Sequence, residues 1–187
     1  MGSFRFLFQL KFYILHLFKR KDEHSLHSPF LFDFYLHTVK SKSSFISEKF
    51  EQERIKLLKN KDTVSVNDFG AGSVSGSKQV CHIAKYSLAT AEQAAFLAAI
   101  VYYLKPQNII ELGTSFGVTT SYLASSNEEI PVYTLEGNEE IGLRAKTMFS
   151  RLGLSQIHTV VGEIDDKLPE VLEKMPSVGL AVANEYL

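Results

Sequence analysis

The fold is decided by residues 108–120, which read NIIELGTSFGVTT. An apolar, β-branched run ends at Glu111, a turn containing Gly113 and Gly117 follows, and a helical pattern begins at Thr119. This order brings backbone N–H groups and a helix N-terminus to one place, and the missing Cβ atoms let a ligand approach the chain closely. The stretch therefore predicts a nucleotide-sized site at the end of a strand.

A second apolar run, residues 131–136, also ends in a carboxylate, Glu136. Glu136 follows Gly117 by about 20 residues. At this distance the second strand of a βαβ unit places an acidic residue where it can bind a ribose diol. A helical pattern over residues 139–152, a stop at Gly153 and an apolar run over 157–161 form a third unit. Strands alternating with helices predict an α/β fold, a Rossmann-like parallel sheet with helices on both faces.

Three strand ends carry a family resemblance: residues 111–117, residues 134–136, and residues 161–163 with Leu168-Pro169. Together they resemble class I S-adenosylmethionine (SAM)-dependent methyltransferases, and most of all the catechol-type O-methyltransferase branch. The first motif of that branch reads Glu-Leu-Gly, with a second Gly four positions on. The resemblance covers roughly residues 90–187. It implies SAM as cofactor and O-methylation of a small molecule, and it leaves the acceptor and the catalytic residues unnamed.

The resemblance also implies a set of cofactor-binding residues at these strand ends: Glu111, Gly113, Thr114, Ser115, Gly117, Thr119, Glu136, Gly137, Asn138, Gly162 and Glu163. In this set the turn holds the amino-acid end of the cofactor, and Glu111 binds its ammonium or orders the loop. Glu136 accepts from the ribose hydroxyls, with Asn138 beside the adenosine. Gly162 and Glu163 flank the adenine. Ser115 stands where the usual turn has a middle glycine.

Residues 63–73 form a second strand-like run with a carboxylate and a glycine turn. We predict no second strand after it, because helical patterns continue to Lys105, and a binding βαβ unit needs that strand. We therefore interpret it as an extended segment and a Gly-rich loop near the pocket entrance, which either covers the pocket or only turns the chain.

The organisation predicted is an N-terminal helical extension over residues 1–62 and a Rossmann-like domain over residues 63–187. Residues 4–18 are strongly apolar but shorter than the roughly 20 residues of a membrane span. We favour a helix covered by the domain or by a second copy over one lying on a membrane surface. A helix capped by Ser28, with Pro29 at its first position, is expected to run on to Val39. Its inward-facing residues are expected to be Phe30 and Phe34, together with Leu31 and Tyr35.

The composition limits the classes of partner, compartment and metal that we expect for this chain. The 187-residue chain has a formal net charge of −1, which gives no general attraction to nucleic acid. A single cysteine fits a reducing compartment, and we expect a cytoplasmic protein. His24 and His27 lack the further ligands of a metal set, so no divalent metal is expected from this chain.

The C-terminal stretch departs from the resemblance. Gly179 and Asn184 stand where the family's fourth strand carries Asp, and the sequence given stops soon after. We expect an incomplete C-terminal half, truncated after the fourth core strand, and an open sheet edge that a second copy or a partner covers.

Two functions therefore remain open: a methyltransferase whose catalytic competence is in question, or a non-catalytic cofactor-binding or protein-interaction module. A dinucleotide oxidoreductase is disfavoured, because the turn lacks the Gly-x-Gly-x-x-Gly spacing.

Overall fold

The computed structural model describes residues 28–66 and 76–184. Its α-helices in chain order are α1 (Pro29–Tyr35), α2 (Glu48–Lys59), α3 (Val80–Ser87), α4 (Ala91–Leu104), α5 (Val118–Ser125), α6 (Glu139–Leu152) and α7 (Ile164–Leu172). A π-helical turn (Leu36–Lys40) and a 3-10 turn (Lys42–Phe45) lie between α1 and α2. The strands are β1 (Thr63–Val66), β2 (Gly76–Gln79), β3 (Ile109–Leu112), β4 (Val132–Glu136), β5 (Ile157–Val161) and β6 (Leu180–Ala183).

Four strands form one parallel sheet in the order β5-β4-β3-β6. In the β3–β4 register Glu111 lies opposite Thr134, and in the β4–β5 register Glu136 lies opposite Val161. Because the strands run the same way, their carboxyl ends meet at one edge, where ligands of open α/β sheets bind. The predicted parallel sheet is confirmed.

Alternate residues of β3 serve two cores on opposite faces of the sheet. Ile109 packs with Val132, with Leu123 of α5 and with Val101 of α4. Ile110 points the other way and packs with Val171 of α7. This period-2 alternation covers both faces with helices, as the predicted fold class requires.

The helices that flank the sheet begin and end where local chemistry dictates. Thr90 and Gln93 form a capping box at the start of α4. Asn138 caps α6, where its side chain accepts from Ile141 N–H at 3.0 Å. Gly153 ends α6 in the left-handed conformation, with φ +75°. The sequence prediction of residues 139–152 therefore matches α6 to the residue.

One buried tyrosine attaches α2 to the sheet domain. The Tyr122 hydroxyl of α5 donates to Glu51 at 2.8 Å and accepts from the N–H of Ser47 at 3.2 Å. Burial, together with the carboxylate of Glu51, raises the pKa of Tyr122 to about 12.

A hairpin corrects one prediction. β1 pairs with β2 in antiparallel register, Thr63 opposite Gln79, so the expectation of no second strand after residues 63–73 is wrong. All of Gly76–Gln79 is exposed, and its polar side chains carry no apolar alternation. Backbone pairing alone makes it a strand, which a hydrophobic pattern cannot reveal. The prediction that this segment forms no binding βαβ unit stands, since the pairing is antiparallel.

The N-terminal region is described from Ser28, and a division between two compact units falls after Leu36. Ser28 caps α1 through the N–H of Leu31 at 3.4 Å, with Pro29 at the first position, as predicted. Phe30 is 60% exposed and Leu31 49% exposed, so the prediction that these two residues face inwards is wrong, whereas Phe34 and Tyr35 are half-buried. Aromatic spacing alone does not tell what covers a helix face.

Three sequence predictions fall on residues outside this description: the apolar run 4–18, the pair His24 and His27, and the loop 67–75. The domain boundary at residue 62 stays a prediction. Within residues 28–66 and 76–184 no single helix is long and apolar enough to cross a membrane. α3 and α4 meet that test only as a pair, bent by 56°.

The docking of β6 against β3 depends on Gly179. A Cβ at this position would lie 2.8 Å from the carbonyl oxygen of Asn108 and 3.0 Å from the backbone nitrogen of Gln107. We expect Gly179→Ala to lower the free energy of unfolding by about 1–3 kcal/mol, because backbone atoms must shift. Denaturant unfolding measures this, with Ser177→Ala, exposed in the same loop, as the control. Equal stability of the two variants would contradict this close contact.

Candidate functional site at the ends of β3 and β4

The turn after β3 is held in an uncommon conformation. Gly113, Ser115 and Gly117 have φ of +87°, +48° and +81°. The N–H groups of Gly113 and Thr114 both donate to the carbonyl of Leu135, at 2.9 and 3.0 Å, which fixes the turn to the end of β4. A Cβ on Gly117 would lie 2.5 Å from the ring of Phe149, so only glycine fits here.

The Glu136 carboxylate is held by two separate turns. Its Oε2 accepts from the N–H of Ser115 at 2.7 Å, and its Oε1 accepts from the N–H of Asn138 at 3.0 Å. Burial raises the pKa of Glu136, while these two hydrogen bonds act in the opposite direction. A carboxylate has about four acceptor positions, so each oxygen can still accept from a ligand.

Glu111 is fully buried beside it, in a network of threonines. Its Oε2 accepts from the hydroxyls of Thr120 and Thr134, both at 2.6 Å. Thr134 therefore accepts from the hydroxyl of Thr114, also at 2.6 Å. No hydrogen-bond partner for Oε1 is found among the described residues.

The environment of Glu111 favours its protonated form. Burial raises its pKa to about 7, the hydroxyls of Thr120 and Thr134 lower it, and the charge of Glu136 raises it further. The side-chain amide of Asn184, which donates to the carbonyl of Gly113 and not to Glu111, is near enough to lower it as well. The charge of Glu136 is thus close enough to affect the carboxyl of Glu111.

The structure brings the predicted residues together at one edge of the sheet. The N–H of Gly162 donates to the carbonyl of Glu136 at 3.0 Å, which joins the end of β5 to the end of β4. The predicted residues differ in exposure. Glu111, Gly113, Thr114, Gly117, Thr119 and Glu136 are buried; Ser115, Gly137, Asn138 and Gly162 are half-buried; Glu163 is exposed at the start of α7. Whether each contacts a ligand remains a prediction.

Sequence reasoning missed four residues that shape this edge. Thr134 and Thr120 hold Glu111, and Ser65 accepts from the Asn138 amide at 2.7 Å. Asn184 donates from its side chain to the carbonyl of Gly113. Only Thr134 had a usable signal, because it lies two residues before Glu136 and so on the same strand face.

A cavity of about 440 Å³ lies elsewhere, between α2 and α6. Leu57, Phe116, Leu143 and Met148 supply its apolar lining, and Glu53, Lys56, Asn60, Arg144, Thr147 and Arg151 supply the polar part. Phe116 alone belongs to the turn, so this cavity does not coincide with the strand ends. In the part of the chain that the structure describes, no group of three His, Cys, Asp or Glu side chains could hold a metal ion.

Comparison with solved structures finds methyltransferases. An O-methyltransferase from Bacillus cereus in complex with S-adenosylhomocysteine (SAH) has a TM-score of 0.57 and 18% identity, covering 80% of this chain and 60% of that one. A candidate O-methyltransferase from Klebsiella pneumoniae has a TM-score of 0.51 and 19% identity, covering 77% and 57%. This chain shares the fold of these two O-methyltransferases.

The comparison also finds TomG from Streptomyces achromogenes, an O-methyltransferase in complex with SAM. It has a TM-score of 0.49 and 19% identity and covers 52% of this chain and 45% of that one. The chain spans between 45% and 60% of the length of these three structures. No protein-family model matches the sequence, and no curated protein matches it.

The raised pKa of Glu111 predicts a pH-dependent stability. The folded state holds this proton more tightly than the unfolded chain does, so the stabilisation is complete below pH 4.5 and is lost as the pH rises to about 7. Across that window we expect the unfolding free energy of the wild type to fall relative to that of Glu111→Gln by up to about 3 kcal/mol.

Denaturant unfolding of both proteins between pH 4 and 8 measures this difference. Glu129→Gln, exposed in the turn before β4, should follow the wild type. If the unfolding free energies of the wild type and Glu111→Gln change with pH in the same way, the burial of an ionisable group at position 111 is contradicted.

Proposed function

We propose that this chain binds SAM at the ends of β3, β4 and β5 and forms part of an O-methyltransferase acting on a small molecule. One observation carries the proposal: on this fold, the Glu136 carboxylate is fixed by N–H groups of Ser115 and Asn138 and keeps acceptor capacity on both oxygens. A carboxylate so placed can accept from the two hydroxyls of a ribose diol, at the edge where such sheets bind nucleosides.

The neighbouring groups suit the rest of the cofactor. The turn of Gly113 and Gly117 presents backbone without Cβ atoms, which permits close approach by the amino-acid portion. The unpartnered Oε1 of Glu111 would gain a donor from an ammonium group or from a water bound to it. Gly162 and Glu163 would lie by the adenine. When bound, SAM supplies an electrophilic methyl group on a sulfonium.

The acceptor and its activating groups are not assigned to residues of this chain. β6 is at the edge of the four-stranded sheet, and we propose that a second copy or a partner covers it. A cytoplasmic location is part of the same proposal, supported by the single cysteine.

A second candidate function is a non-catalytic cofactor-binding module. Asn184 favours it, because its amide donates to the carbonyl of Gly113 at a position where the resemblance implies a carboxylate. Incubation with labelled SAM and a panel of catechols, with and without magnesium, separates the two candidates. Methyl transfer supports the enzyme; cofactor binding without transfer supports the module.

Calorimetric titration with SAH tests the cofactor assignment. We expect the wild type to bind SAH and not NAD, and Glu136→Ala to bind SAH about tenfold to hundredfold more weakly, because two charge-assisted hydrogen bonds to the ribose are lost. Glu129→Ala, which removes an exposed carboxylate from the turn before β4, should bind as the wild type does. An absence of heat with SAH, or equal affinity of the two variants, would overturn the assignment.

A further inference from the structure

The Glu136 carboxylate depends on two turns that are separate in sequence. The N–H of Ser115 comes from the turn between β3 and α5, and the N–H of Asn138 comes from the turn between β4 and α6. Both N–H groups can reach the same carboxylate only while these two turns keep a fixed separation. Any element that contacts both turns therefore sets the geometry of this carboxylate.

The β1–β2 hairpin contacts the second turn through polar groups. The N–H of Ser65, in β1, donates to Oε2 of Glu140 at 2.9 Å, and its carbonyl accepts from the side-chain amide of Asn138 at 2.7 Å. Both main-chain groups of Ser65 are thus held by Asn138 and Glu140, which lie within one helical turn after Glu136. The N–H of Ser65, and after it Arg144, lower the pKa of Glu140, so its carboxylate is charged at neutral pH.

The same hairpin contacts the first turn through apolar groups. Val64, only 1% exposed, belongs to a buried cluster with Phe116 of that turn and Ile141 of α6. Helix α3 begins directly after β2 and ends at Ser87. The hydroxyl of Ser87 lies 2.7 Å from the hydroxyl of Ser115. The two contacts use different parts of β1: the side chain of Val64 packs in the buried cluster, and the main-chain groups of Ser65 make the hydrogen bonds.

We propose that the β1–β2 hairpin positions the ribose-binding carboxylate, and that Glu140 is a positioning residue for SAM although it does not touch the cofactor. The inference rests on the proposed function. Loss of the Glu140 acceptor frees the N–H of Ser65 and loosens the contact that holds Asn138. The N–H of Asn138 then holds Glu136 less tightly, and the carboxylate is less well ordered for a ribose.

Four variants of the full chain separate this contact from its surroundings. Glu140→Ala removes the acceptor, and Glu140→Gln keeps an acceptor oxygen without the charge. Glu139→Ala removes an exposed carboxylate from the same first turn of α6, with a comparable change in the helix-end electrostatics. Arg144→Ala removes the 3.2 Å ion pair with Glu140 and leaves the acceptor for Ser65.

Amide hydrogen exchange by NMR, without ligand, and calorimetric titration with SAH are the two measurements. We expect faster exchange at Ser65 and Asn138, and about threefold to tenfold weaker SAH binding, in Glu140→Ala. Glu140→Gln, Glu139→Ala and Arg144→Ala should stay near the wild type in both measurements. Rescue by glutamine distinguishes a lost hydrogen bond from a general loss of stability.

The outcomes are separable. If the wild type binds SAH and Glu140→Ala matches Glu139→Ala in both measurements, the hairpin inference fails and the proposed function stands. If Glu140→Gln loses as much affinity as Glu140→Ala, charge rather than the hydrogen bond is responsible and the inference fails. If the wild type does not bind SAH, the proposed function fails, and the inference fails with it.

Discussion

Two backbone N–H groups, from Ser115 and Asn138, converge on the carboxylate of Glu136. The parallel register of β3 and β4 makes this possible, because it places the ends of both strands at the same edge. The glycine turn then folds back over β4, with the N–H groups of Gly113 and Thr114 on the carbonyl of Leu135. These hydrogen bonds fix the positions of the polar groups at this edge of the sheet.

Burying two carboxyl groups next to each other destabilises the fold. Hydrogen bonds offset this destabilisation, and they do so more fully for Glu136 than for Glu111. Glu136 receives N–H donors on both oxygens, whereas Glu111 has threonine hydroxyls on one oxygen and no described partner on the other. Burial raises the pKa of both groups. Incompletely satisfied polar groups of this kind are typical of binding sites, where a ligand supplies the missing donors.

The sequence predicts most of the fold because its signals are local. Apolar runs ending in carboxylates locate β3 and β4, and Asn138 with Gly153 sets the ends of α6. β2 escaped prediction because its pairing partner, not its composition, makes it a strand. The full burial of Glu111 and the contacts of Ser65 join residues far apart in sequence, and no local pattern encodes them.

A crystal structure of this chain grown with SAH is the most direct test of whether Glu136 binds the ribose. We predict both ribose hydroxyls within hydrogen-bond distance of the Glu136 carboxylate, with the amino-acid portion of SAH against the turn from Gly113 to Gly117. SAH bound away from Glu136, for example in the cavity between α2 and α6, would contradict it.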